Sequence, residues 1–260
     1  MVKLIFSITF LLIFINKSFS ENNANYIAHA GGEIDGFTYT NSLQSIKQSI
    51  KFGYNFIEID LYLSSDGYFY GFHDFQSLVP IDQNDFEIID NFEKKFFSKT
   101  VKKKDLILLN KKLKYPIILE EEIINIFRSN TNLNLVTDKT QDFRQLKDKF
   151  NFMNDRLYIE ISTKKNYLKS LFYSFDNKIF LTSNFDFIDR LFIRLFSIKN
   201  VVFHKDLLKM NIVKNRIKEY KNLFNIKFFT YTVNVNDDLN FYYQFVDFIY
   251  TDNILLKHKE

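Results

Sequence analysis

The chain has no cysteine, which excludes a disulfide framework and thiol catalysis and leaves no residue for a lipoprotein anchor. Glycine and proline are scarce, at six and two residues. No glycine-rich phosphate loop of the dinucleotide-binding kind follows the first strand-like run at residues 26–29, so a dinucleotide-binding open sheet is disfavoured. Long apolar runs are also missing. The most apolar stretch, residues 4–15, has twelve residues, well short of the ~20 that span a bilayer as a helix. A strong surplus of one charge is absent as well, with 35 basic residues against 31 acidic. Lysine clusters such as Lys102-Lys103-Lys104 and Lys111-Lys112 are not joined to an aromatic platform. They read as solvated surface, and no nucleic-acid partner is expected.

What is present begins with a processing signal. A short basic start, the apolar stretch and small residues at Ser18 and Ser20 predict an export signal over residues 1–20, cut after Ser20. The mature chain is then residues 21–260, exported to a periplasm or secreted, without stable membrane insertion. Losing Lys3 and Lys17 takes 35 basic residues to 33 against 31 acidic, so the mature protein is nearly neutral. Its length suffices for one large core.

The pattern is organised around residues 54–74, YNFIEIDLYLSSDGYFYGFHD. In an extended strand, alternation puts Phe56, Glu58 and Asp60 on one face and Ile57, Ile59 and Leu61 on the other. Ser64-Ser65-Asp66-Gly67 reads as a turn, after which a second extended run delivers His73 and Asp74 back to the same end. Two adjacent buried acids without a partner cost several kcal/mol, on the order of the desolvation of charge. A hard cation resolves this: oxygen ligands two apart on a strand suit Mg²⁺ or Ca²⁺, and a neighbouring histidine suits proton transfer.

Short apolar runs alternate with longer amphipathic ones along the rest of the chain. Strands are expected to start near residues 26, 55, 132, 157, 178, 201, 227 and 248, with helices over 41–52, 119–129, 142–150, 167–175, 185–197, 207–224 and 237–245. Residues 75–115 read as a long polar excursion, irregular apart from an apolar knot at 106–109. Eight strands joined by right-handed helical crossovers in ~240 residues predict an α/β fold, a single-domain (β/α)₈ TIM barrel with a long polar loop after the His73 hairpin. A doubly wound open sheet is the alternative. In a barrel the strand ends carrying His29, Glu58, Asp60, Asp138, Lys139, His204, Asn234 and Asp252 converge on one mouth.

Those residues resemble the glycerophosphodiester phosphodiesterases, barrel enzymes similar in architecture to the phosphatidylinositol-specific phospholipases C. The resemblance runs through IAHAGG at 27–32, Asn41-Ser42, FIEID at 56–60, Ser65-Asp66-Gly67, His73-Asp74, YTVN at 231–234 and VDFIYTD at 246–252. It implies metal-dependent hydrolysis of a glycerophosphodiester or a related headgroup or glycan phosphodiester. His29 and His73 would be the acid-base pair, and Glu58 and Asp60 ligands of a divalent cation, Mg²⁺ or Ca²⁺. The chain departs from the family pattern twice. Ala30 stands where the family carries a phosphate-binding arginine, and Val136-Thr137-Asp138-Lys139 stands where it carries Glu, one residue, then Lys.

Aligning the lysines would put Thr137 at the metal. A neutral hydroxyl is a poor substitute for an anionic ligand to a hard cation, so Asp138 is assigned as the third ligand. Lys139 then supplies the phosphate charge that Ala30 cannot. His204, Tyr231 and Asn234 are placed at the substrate pocket, and Asp252 is read as a loop or cap residue. The glycines after His29 are read as room for a ligand to approach the backbone. A second functional class remains open: a catalytically silent barrel that binds a phosphorylated glycan or lipid headgroup.

Overall fold

The computed structural model describes residues 25–82 and 85–253; the expected export signal and His258 lie outside them. Eight parallel strands close into a barrel. In chain order they are β1 (Asn25–Ala28), β2 (Phe56–Glu58), β5 (Asn134–Thr137), β6 (Leu157–Ile161), β7 (Asn177–Leu181), β8 (Asn200–His204), β9 (Lys227–Tyr231) and β10 (Phe248–Thr251). Pairing of β1 with both β2 and β10 closes the ring. A two-stranded antiparallel hairpin, β3 (Leu61–Leu63) and β4 (Phe69–Gly71), stands outside it.

The helices are α1 (Leu43–Lys51), α2 (Phe86–Phe97), α3 (Lys103–Asn110), α4 (Glu120–Ser129), α5 (Phe143–Phe150), α6 (Lys164–Ser170), α7 (Phe187–Leu195), α8 (Asn211–Phe224) and α9 (Leu239–Tyr243). Several start on side-chain caps. Ser42, Asp142, Thr163 and Asp186 each accept a hydrogen bond from the backbone N–H three residues on, which satisfies a donor the first helical turn leaves free. The expected helix over 207–224 begins later, because residues 205–209 form a separate short 3₁₀ segment.

Strand alternation divides the core into two layers. Ile27, Val136, Ile179, Val202, Phe229, Phe248 and Tyr250 fill the barrel interior. Their strand neighbours Ala28, Leu135, Phe180, Val201, Phe228 and Ile249 pack outward with the helices. Burying each such aliphatic or aromatic side chain contributes about 1.5–3 kcal/mol.

Residues 75–115 correct the expectation of an irregular polar loop. They carry α2 and α3 and share a cluster of their own with the hairpin, built from Tyr70, Phe72, Ile89, Phe92, Leu106 and Leu109. Asn, Asp and Lys dominate the composition, yet Ile88, Ile89, Phe92 and Phe96 recur on one helical face. The Phe72 ring lies 5.4 Å from Phe92 and 5.1 Å from Phe96. This cluster therefore grips the strand that delivers His73.

Candidate active site

At the C-terminal ends of the barrel strands lies a cavity of about 620 Å³. Its wall includes His29, Tyr39, Glu58, Asp60, His73, Asp138 and Lys139 on one side, and Glu160, Leu181, His204, Tyr231, Thr232 and Tyr250 on the other. Every predicted site residue except Asn234 reaches this mouth.

His29 follows β1 directly. Its Nδ1 lies 3.0 Å from Asp252 Oδ1 and 3.3 Å from Thr232 Oγ1. Asp252 follows β10, which pairs with β1, so barrel closure joins two residues 223 positions apart. Asn234 braces the pair from behind: its Nδ2 donates to Asp252 Oδ2 at 2.9 Å, and its Oδ1 accepts from the Asp252 N–H at 2.9 Å. Asn234 is thus a support for Asp252, not a wall of the pocket. Asp252 in turn is a partner of His29, beyond the loop role read from sequence. His73 leaves the hairpin with the same construction, its Nδ1 2.7 Å from Asp74 Oδ2. When each carboxylate accepts from Nδ1–H, each Nε2 is left free for chemistry. The two ring centroids are 6.4 Å apart, and Tyr39 lies against both, at 5.0 and 4.5 Å.

The glycines after His29 face elsewhere than expected. A Cβ on Gly31 would stand 2.7 Å from Ser45 Oγ, and one on Gly32 would stand 2.3 Å from Ser49 Oγ. Their φ angles of 84° and 88° also suit glycine alone. Close packing against α1, not a ligand, requires them.

Glu58, Asp60 and Asp138 each bring one carboxylate oxygen within 4.8 Å of the others. Glu58 Oε2 accepts the Ala30 N–H at 2.6 Å. Asn41 clamps Asp60 twice, donating to Oδ2 at 2.8 Å and accepting from its N–H at 3.0 Å. Asp138 lies two residues beyond the inward Val136, so alternation aims it into the barrel, whereas Thr137 follows Leu135 outward. Lys139 Nζ bridges Asp60 Oδ1 at 2.9 Å and Asp138 Oδ2 at 3.0 Å.

One lysine does not balance this many acids. Burial, then Asp60 and Asp138, pushes the Glu58 carboxyl well above its ordinary range. Burial, then Asp60, raises Asp138 to about 6. Burial works to lower the Lys139 pKa, but Asp138 and Asp60 outweigh it and hold it above its ordinary value. Asp138 Oδ1 is buried with no hydrogen-bond partner among the described residues. An all-oxygen set with an orphaned carboxylate oxygen and surplus negative charge fits a hard divalent cation.

Glu160 is a site residue that the sequence reading did not single out. It points inward from β6 beside Tyr158, and Tyr250 Oη donates to its Oε1. Burial, then Asp138, raises its carboxyl to about 8. The sole signal available was period two: Tyr158 and Glu160 share one strand face.

Residues 26–256 match the glycerophosphoryl diester phosphodiesterase family. The chain belongs to that family. By family it is a phosphoric diester hydrolase. Solved structures of low identity share the fold. A glycerophosphodiester phosphodiesterase from Parabacteroides distasonis superposes with a TM-score of 0.64 at 16% identity, over 88% of this chain and 93% of its own. An Oleispira antarctica phosphodiesterase, in complex with the product sn-glycerol-3-phosphate, gives 0.62 at 16%, over 88% and 92%. A glycerophosphodiester phosphodiesterase from Thermotoga maritima gives 0.59 at 15%, over 88% and 95%. Comparison with curated proteins finds no match in sequence. In this family the cavity is the candidate active site, and the closed barrel of eight parallel strands agrees with the architecture expected from sequence. Among the described residues no helix is long and apolar enough to cross a membrane.

Proposed function

We propose that this phosphodiesterase hydrolyses a small glycerophosphodiester to a glycerol phosphate and an alcohol, with His29 as base, His73 as acid and a divalent cation, Mg²⁺ or Ca²⁺, on Glu58, Asp60 and Asp138. The observation that carries this reading is the pairing of two carboxylate-oriented histidines, 6.4 Å apart, with a three-carboxylate cluster in one cavity. The product held by the Oleispira relative fits the same substrate class.

When bound, the cation supplies charge that polarises the phosphoryl oxygens. The chain's own residues do the rest. Lys139, at the edge of the acid cluster, faces the cavity and supplies positive charge for the phosphate. Asp252 holds the His29 ring so that Nε2 takes a proton from the attacking hydroxyl, and stabilises the imidazolium that results. Asp74 does the same for His73, whose Nε2 gives its proton to the departing alkoxide oxygen. Tyr39 keeps the two rings apart.

A two-by-two assay separates these roles. A nitrophenolate departs readily without protonation. His73→Ala should therefore lose ~10²- to 10⁴-fold on an alkyl diester and recover much of it on a nitrophenyl diester, while His29→Ala stays impaired on both. Metal content is measured for each variant. The opposite rescue pattern would reverse the roles, and inactivity of the wild type on every diester would favour a silent binding barrel.

The site is also proposed to work outside the cytoplasm, after removal of residues 1–20. Mass spectrometry of protein from its native host should find Glu21 as the N-terminus in an exported fraction. Recovery of intact Met1 would overturn this.

A further inference from the structure

Eight large apolar side chains stand exposed on or just after two neighbouring helices of the barrel flank, against four on α2 and α3. Phe172, just after α6, is 88% exposed, and Leu168 and Leu171 lie beside it in the chain at 40% and 47%. On α7, Phe187, Ile188, Leu191 and Leu195 are exposed, the first and last at 69%. Spacing of i, i+4 and i+8 puts Phe187, Leu191 and Leu195 on one side of the helix. The two helices touch through the Lys164–Asp189 ion pair and the Tyr167 and Phe192 rings, 5.7 Å apart. The two stripes are therefore parts of one surface, and a patch of this extent marks an interaction site.

Charge decides what it meets. Lys164 and Asp189 neutralise each other, Asp189 being buried against Lys164 and Thr182. The helices then carry Lys165, Lys169, Arg190 and Arg194 against one acid, Asp186 at the α7 N-cap. A two-fold contact with a second copy would press this net basic rim against itself. Phenylalanine and leucine rimmed by lysine and arginine instead match helices that lie in a lipid interface.

We propose that the α6–α7 face docks on an anionic lipid bilayer. Phe187 and Ile188 lie at the end of α7 nearest β7, whose Leu181 lines the cavity. The helices flank the barrel, so docking leaves the mouth opening along the membrane surface, accessible to soluble diesters. The proposal does not rest on the catalytic assignments above.

The chain has no tryptophan, so one introduced residue reports its own surroundings. Full-length chain carrying Phe172→Trp is mixed with phosphatidylglycerol–phosphatidylcholine vesicles whose acyl chains are brominated, and with phosphatidylcholine vesicles alone. Phe86→Trp, on α2 and 54% exposed, is the control. Emission of Phe172→Trp should shift to the blue and be quenched on anionic vesicles, while Phe86→Trp stays unchanged. Adding Lys165→Gln and Arg194→Gln should lower vesicle affinity about 25-fold, at about fivefold per charge, with turnover of a soluble diester unchanged. The proposal is overturned by unchanged Phe172→Trp emission, by equal quenching at both sites, by binding indifferent to the charge removals, or by a blue shift that grows with protein concentration without vesicles.

Discussion

The two sides of the barrel mouth are built on different plans, and His29 and His204 make the contrast plain. Both stand at strand ends and both line the cavity. The His29 side chain is 17% exposed and held by Asp252, which Asn234 fixes through two further hydrogen bonds. The His204 side chain is 48% exposed, with Asp206 at 3.3 Å, itself half exposed and shared with Lys209. Position in a barrel brings a residue to the mouth, and only fixed partners give it a set tautomer and direction. On the β1–β2–β5 side His29, Glu58 and Asp60 are clamped by residues distant in the chain, while His73 is held by Asp74 and Asp138 by Lys139. On the β7–β9 side the wall is apolar and aromatic, with Leu181 and Tyr231 beside His204.

The largest effect outside the histidine pair should come from the clamped side. Asp138→Asn keeps the shape but removes a charge from the three-carboxylate set, so cation affinity and activity should fall together by about 10- to 100-fold. Thr137→Val, one residue away and facing outward, should leave both intact and cost little stability, since its buried Oγ1 has no partner among the described residues. Calorimetric titration with Mg²⁺ and Ca²⁺ measures the affinities. Equal losses in both variants would show that strand alternation does not decide which side chain serves the cation.

A smaller effect separates Glu160 from those acids. Its carboxyl titrates at about 8 in the folded chain, against roughly 4.3 when unfolded. Between these values the folded state keeps a proton that the unfolded state has released. This group therefore lowers stability as pH rises from about 4 to about 8, and its full cost is present above that window. Glu160→Gln retains an acceptor for Tyr250 and never ionises. In chelator-treated protein the variant and wild type should melt together near pH 4 and diverge with rising pH, the variant melting on the order of 10 °C higher at pH 9. Parallel melting curves across the range would mean that Glu160 ionises freely and belongs with the exposed wall.

What the sequence made legible follows the same division. Glu58 and Asp60 could be read from period-two alternation, and Asp138 from its charge, because a carboxylate suits a hard cation where the neighbouring Thr137 hydroxyl does not. His73 could be read because a turn and a short run place it. Asp252 could not, since its partnership with His29 exists only through closure of β10 onto β1. Glu160 and Tyr250 meet across 90 positions of chain for the same reason. The helices over 86–97 and 103–110 were hidden by lysine- and asparagine-rich composition, although their apolar residues keep a helical spacing. The glycines after His29 suggested a ligand, but whether a ligand or a helix fills the space beside them is set by where α1 packs.

The smallest expected effect is the sharpest test of the contrast. If orientation by a fixed partner is what turns a strand-end histidine into a catalytic group, His204→Ala should change kcat/KM on a small glycerophosphodiester by less than about threefold, within the range of a peripheral contact. The ring is half exposed and held only by a 3.3 Å hydrogen bond from the Asp206 N–H to its Nδ1, beside an equally exposed carboxylate, so it has little fixed orientation to lose. The substitution should leave metal affinity unchanged, because His204 is outside the three-carboxylate set. A bulkier alcohol arm, reaching the Tyr231 wall 5.5 Å from the His204 ring, is where any loss should appear, as a rise in KM with kcat held. A tenfold fall in kcat on the smallest diester would break the comparison, because an unclamped histidine would then be doing chemistry at the mouth.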